Sequence, residues 1–107
     1  MTVLDIISIY KSLKNEIDNL EESNRKFEKT LSDLKESYRL NRDSHIDIND
    51  ENIKYMVDVC NINDTDGFTV NTLVNRATSK LYSRRLTLCD KRKVYANFLN
   101  QDFSRGE

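Results

Sequence analysis

From Val3 to Tyr38, apolar residues return at alternating intervals of three and four. With Val3 as position a of a heptad, the a positions are Val3, Tyr10, Ile17, Asn24, Leu31 and Tyr38, and the d positions are Ile6, Leu13, Leu20, Phe27 and Leu34. All but Asn24 are apolar or aromatic, the register never slips, and most intervening positions carry Lys, Glu, Asp, Asn, Ser or Arg. A narrow a/d stripe on a polar helix is what a coiled coil requires, because each knob must meet a facing helix while the other faces stay wet. The pattern predicts one long helix, residues 1–41, with these eleven positions as candidate oligomerisation contacts. A helix of about 38 residues at about 1.5 Å per residue is roughly 57 Å long. That exceeds what the rest of the chain is expected to cover, so the spacing predicts that another chain buries the surplus.

Asn24 refines this expectation. A buried Asn in a coiled-coil seam is tolerated where it pairs with another Asn, which fixes register and favours two strands. Glu16 at g and Glu21 at e would face each other in a parallel twin, and Tyr10 and Tyr38 are bulky for a parallel two-stranded a layer. Like charges across the seam favour a heterologous or antiparallel partner over a parallel homodimer. Near the start, Leu4, Ile7 and Ile9 widen the stripe, so this end is expected to pack against more than one helix. No basic face lies beside that patch, which argues against a membrane-surface anchor.

The stripe ends at Asn41. Residues 42–52 are rich in Asn and Asp, which bond their own backbone in competition with the helix, and read as a polar connector with His45 facing solvent. Asn49 or Asp50 is placed to cap a helix running to about Cys60 that buries Ile53, Met56, Val57 and Cys60. The following Asn61–Phe68 stretch resembles a calcium loop only superficially. With Gly67 at loop position six, Asp64 and Asp66 fall at three and five, but Ile62 and Leu73 occupy the two anchoring positions. A tight turn at Gly67 with Thr69 capping the next helix is the reading the residues support.

Beyond the turn, Val70, Leu73, Val74, Ala77 and Leu81 predict a helix ending near Tyr82. Thr87 and Asp90 then suggest a capping box for a further helix, with Leu88, Val94, Tyr95, Phe98 and Leu99 on its apolar face. The predicted architecture is all-α: a long N-terminal coiled-coil helix, the connector, a small basic three-helix domain over residues 53–101, and a frayed tail at 102–107.

Composition supports helices, since 107 residues contain two Gly and no Pro, too few for a fold rich in tight turns. Without a long apolar run the chain is expected to be soluble and intracellular, in cytoplasm or nucleus. Cys60 and Cys89 are 29 positions apart with no ligand spacing around either, so no metal or cofactor is expected and both should be reduced. The net charge of −1 hides a division: residues 1–66 hold nine Lys and Arg against fifteen Asp and Glu, residues 67–107 eight against three. The basic candidates are Arg76, Lys80, Arg84, Arg85, Lys91, Arg92 and Lys93, suited to an acidic protein partner or, with Tyr82 or Tyr95 stacking, to nucleic-acid phosphates. No nucleophile–base arrangement, P-loop or dinucleotide motif accompanies the one His, so no enzyme is expected. The leading expectation is a non-enzymatic assembly or adaptor protein that oligomerises through its N-terminal helix and docks a partner on its basic domain. The alternative is a dimeric nucleic-acid-binding regulator.

Overall fold

A computed structural model describes residues 2–39, 41–63 and 65–100. Three helices account for most of them: α1 (Val3–Tyr38), α2 (Glu51–Cys60) and α3 (Val70–Asn100). The fold is all-α with a long N-terminal helix. Among the described residues the only extended pairing is a single antiparallel bridge between His45 and Thr69.

Each boundary has a local cause. At the start of α1, Thr2 Oγ1 accepts from Asp5 N at 3.2 Å while Thr2 N donates to the Asp5 carboxylate at 3.1 Å, a reciprocal capping box. The Asp50 carboxylate accepts from Asn52 N at 2.8 Å and Ile53 N at 3.4 Å, satisfying two of the free donors that open α2. α2 stops where Asn61 turns left-handed (φ 55°), and Ile62 N then donates to Val57 O at 3.0 Å. Gly67, at φ +68°, makes the second reversal. Thr69 Oγ1 accepts from Thr72 N at 3.3 Å at the head of α3. Asp64, one of the carboxylates weighed for calcium, and the tail at 102–107 lie outside the described residues.

α3 returns antiparallel to α1. Tyr10, near the beginning of α1, stacks on Tyr95 and Phe98 near the end of α3, and Glu28 pairs with Arg85 farther along. The loops that reverse the chain are stitched together by Asn71 N donating to Arg42 O at 2.9 Å and Val70 N donating to Ser44 O at 3.1 Å. The molecule is a rod of 62 × 20 × 18 Å. Its core lies at the connector end, where Phe27, Leu31 and Leu34 of α1 meet Ile53 and Met56 of α2 and Leu73, Ala77 and Leu81 of α3, with Ile62 and Phe68 of the loop closing the cluster. Toward the other end α2 is absent, and α1 and α3 continue as a two-helix hairpin.

Two expectations change. The helices expected over 70–82 and from Thr87 are one continuous helix: Ser83–Leu86 contains no breaker, and Thr87 Oγ1 donates to Ser83 O at 3.1 Å inside the helix instead of capping a new one. The long helix therefore belongs to the three-helix core and does not precede it. The length argument for a second chain changes with it, because a 31-residue α3 spans about 46 Å and covers most of the seam itself.

Candidate interaction surfaces

The seam residues divide by position along the rod. Ile17, Asn24, Phe27, Leu31 and Leu34 are buried within the chain. Leu20 and Tyr38 are half-buried beside them, as are Ile6, Tyr10 and Leu13 nearer the open end. Val3 is 68% exposed and its neighbour Leu4 77%. Ile7, Ile9, Val94 and Leu99 are exposed too, and they form apolar banks on both sides of Phe98. The stripe thus runs past its cover and emerges as an apolar end.

The seam's partner is a second heptad on α3 that two cations conceal. Ala77, Leu81, Arg84, Leu88, Lys91, Tyr95 and Phe98 follow intervals of three and four, with Arg84 and Lys91 where apolar knobs would be expected. Lys91 fills its position by burying its stem and extending its head to the rim, whereas the Arg84 guanidinium itself lies in the seam, its Nη1 buried and without a hydrogen-bonding partner among the described residues. Arg84 lies 5.0 Å over the Phe27 ring and donates to Ser23 Oγ. Lys91 Nζ pairs with Glu16 at 2.8 Å. Arg85 bonds Glu28 and Arg92 bonds Glu21. The glutamates that would repel in a parallel α1 pair here bind the cations of an antiparallel helix. Exposed ion pairs each contribute at most about 1 kcal/mol, so their main effect is to select α3, in this direction, as the partner of α1.

The basic candidates therefore do not form one free face. Arg84, Arg85, Lys91 and Arg92 are bonded to α1. Lys93 is exposed on the outer side of α3. Arg76 and Lys80 are exposed near the end of α2, where with Arg84 they partly offset the effect of burial, which raises the Cys60 thiol above its usual range. Cys89 is exposed. Since the thiolate is the reactive form, iodoacetamide at pH 7.5 is expected to alkylate Cys89 at least about fivefold faster than Cys60, as read by peptide mass spectrometry. The reverse order would mean that α2 lifts readily from α3.

Two features escaped the sequence reading. Asn24 is 6% exposed, and neither its Oδ1 nor its Nδ2 has a hydrogen-bonding partner among the described residues. It lines one pocket with Leu88, Cys89, Arg85 and Arg92 of α3, yet none of these side chains bonds its amide. The second is a basic groove at the connector end, where Lys35, Arg39 and Arg42 converge beside the first turns of α3. Lys35 and Arg39 are one helical turn apart, and the connector brings Arg42 beside them, in a stretch whose net acidity obscures them. Elsewhere, His45 is exposed in the connector, its backbone paired with Thr69. Tyr10 and Tyr95 join through their hydroxyls at 2.8 Å, and this bond is the main reason the Tyr95 hydroxyl titrates above its ordinary range. Among the described residues, no group of acidic, Cys and His side chains could hold a metal ion, and no helix is long and apolar enough to cross a membrane. Comparison with protein-family models, curated proteins and solved structures finds no match to this chain.

Proposed function

We propose that the chain is a non-enzymatic assembly or adaptor protein that self-associates through the open end of its helical hairpin. The observation that carries this reading is the exposure of Val3, Leu4, Ile7 and Ile9 together with Val94 and Leu99. Ile9 and Val94 lie on one side of Phe98 and Ile7 and Leu99 on the other, with Val3 and Leu4 in the turn before, on a chain with 33% charged residues. Contiguous exposed apolar residues are a mark of interaction surfaces. A two-helix hairpin covers only one side of each helix, and packing two hairpins into a four-helix bundle is the usual way to cover the rest. The interior half of the seam and Tyr10 are engaged with α3, so association is assigned to Val3, Ile6 and Leu13 with the aliphatic residues beside them. What weighs against a nucleic-acid-binding regulator is that Arg84, Arg85, Lys91 and Arg92, its principal candidates, are bonded to α1.

Sedimentation equilibrium tests the proposal. The wild-type chain is expected to self-associate in the micromolar range. Leu4→Asp combined with Ile7→Asp should weaken association at least about tenfold, since about 1.4 kcal/mol suffices for that and burying one aliphatic side chain is worth about 1.5–3 kcal/mol. Circular dichroism should be unchanged, because both side chains are exposed. A monodisperse monomer at high micromolar concentration would overturn self-association.

A further inference from the structure

We infer that the groove at the connector end is a docking site for an acidic, amphipathic segment of another protein. This goes beyond self-association at the open end and rests on the adaptor reading only in taking the partner to be a protein. One bank carries Lys35, Arg39 and Arg42 from the end of α1 and the connector; the other carries Asn71 and Asn75, one turn apart on α3. The groove is open, about 350 Å³ in volume, and lined by no carboxylate. All three cations are exposed, and none forms an ion pair with another described residue. This sets them apart from the arginines along the seam. The first turn of α3 carries no acidic residue either.

The floor between the banks determines what fits. It is made of Tyr38 and Val74, both half-buried, and Val70, which is buried. A free phosphate would leave this apolar floor unused. A duplex would need a longer track of cations than three. A short peptide with one or two apolar residues flanked by Asp or Glu matches every part: aliphatic or aromatic side chains on the floor, carboxylates on the cations, and backbone groups within reach of the Asn71 and Asn75 amides. The helix-opening amides are already used, since Val70 N and Asn71 N donate to connector carbonyls and Thr72 N to Thr69 Oγ1. Recognition therefore falls to side chains, which makes it open to mutation without disturbing the helix start. Attraction of this kind steers association and weakens with salt.

Fluorescence anisotropy on the full chain tests the inference with three labelled probes: a twelve-residue peptide alternating Glu with Leu and Phe, an equally charged oligo-glutamate, and an equally charged single-stranded oligonucleotide. The amphipathic peptide is expected to bind with micromolar affinity, at least about tenfold tighter than either other probe. Raising salt from about 50 to about 300 mM should weaken it several-fold, as expected for exposed charges. Arg39→Glu with Arg42→Glu should abolish binding at unchanged helicity, and Lys35→Ala should weaken it about threefold. In a nitrogen–proton correlation spectrum, the peptide should shift the side-chain amides of Asn71 and Asn75. The Leu4→Asp/Ile7→Asp variant should bind as well as wild type, so failure here and failure of self-association are separately visible. Absence of peptide binding at low salt, equal binding by the charge-reversed variant, or equal binding of oligo-glutamate or the oligonucleotide would each overturn the inference.

Discussion

Phe27→Ala is expected to cost about 3–5 kcal/mol of unfolding free energy, the range for removing a fully buried aromatic side chain. Phe27 is 0% exposed and belongs to the cluster that joins all three helices. Its ring is 6.4 Å from that of Tyr55 on α2 and supports the Arg84 guanidinium of α3 from 5.0 Å. The loss is not confined to one contact. α2 has ten residues, too few to hold helical form alone in water, so its persistence depends on burying Ile53 and Met56 against this cluster. A domain of this size has about 5–15 kcal/mol in total, so the variant should be near the edge of folding at 37 °C. Urea denaturation followed by far-ultraviolet circular dichroism measures the loss. Leu13→Ala, at a half-buried site on the two-helix part of the rod, should cost clearly less, on the order of 1–2 kcal/mol, because water already reaches one side of it. Equal costs at the two sites would contradict a core confined to the connector end.

The same contrast explains how much of the molecule was legible in its sequence. α1 was readable because each a/d position except Asn24 obeys a single period. The start of α2 was readable because Asp50 has the chemistry of a cap, and the last reversal because Gly67 and Thr69 have theirs. The continuity of α3 was not readable. Arg84 and Lys91 stand in its seam, and a pattern scored by apolarity alone breaks wherever a long cation supplies its methylene stem as the knob. The division of charge was plain, but its meaning depended on that same hidden heptad. Once α3 is one helix, the acidic and basic halves are two strands of one hairpin, and Glu16, Glu21 and Glu28 are contacts to Lys91, Arg92 and Arg85. Four of the seven basic candidates, Arg84, Arg85, Lys91 and Arg92, are thus cations that help hold the fold. Lys35, Arg39 and Arg42, scattered through a net acidic stretch, become a group only when the start of α3 is placed beside them.

Asn24→Leu is expected to stabilise the protein, by about 1–3 kcal/mol, the desolvation cost of a buried polar group left without a partner. Leucine branches at the same carbon as asparagine and the open pocket beside this position can take its larger methyls, so the exchange removes two unpartnered polar atoms. The facing residue Leu88 is aliphatic and buried, and would meet an apolar neighbour in place of an amide. A gain of that size should raise the thermal midpoint by roughly 4–8 °C per kcal/mol for a domain near 100 residues, measurable by circular dichroism. The hairpin should keep its register, because the pairs on either side of this layer, Glu21 with Arg92 and Glu28 with Arg85, still define the antiparallel match. Glu16 and Glu21 would oppose a parallel pairing of two α1 helices whether or not Asn24 is present, so the variant should self-associate no more tightly than wild type in sedimentation. Asn24 in this fold is then a residue whose amide α3 covers but does not satisfy. A loss of stability on substitution would instead mean that in solution the amide bonds something other than α3, and a new, tighter oligomer would mean that Asn24 holds α1 away from a copy of itself.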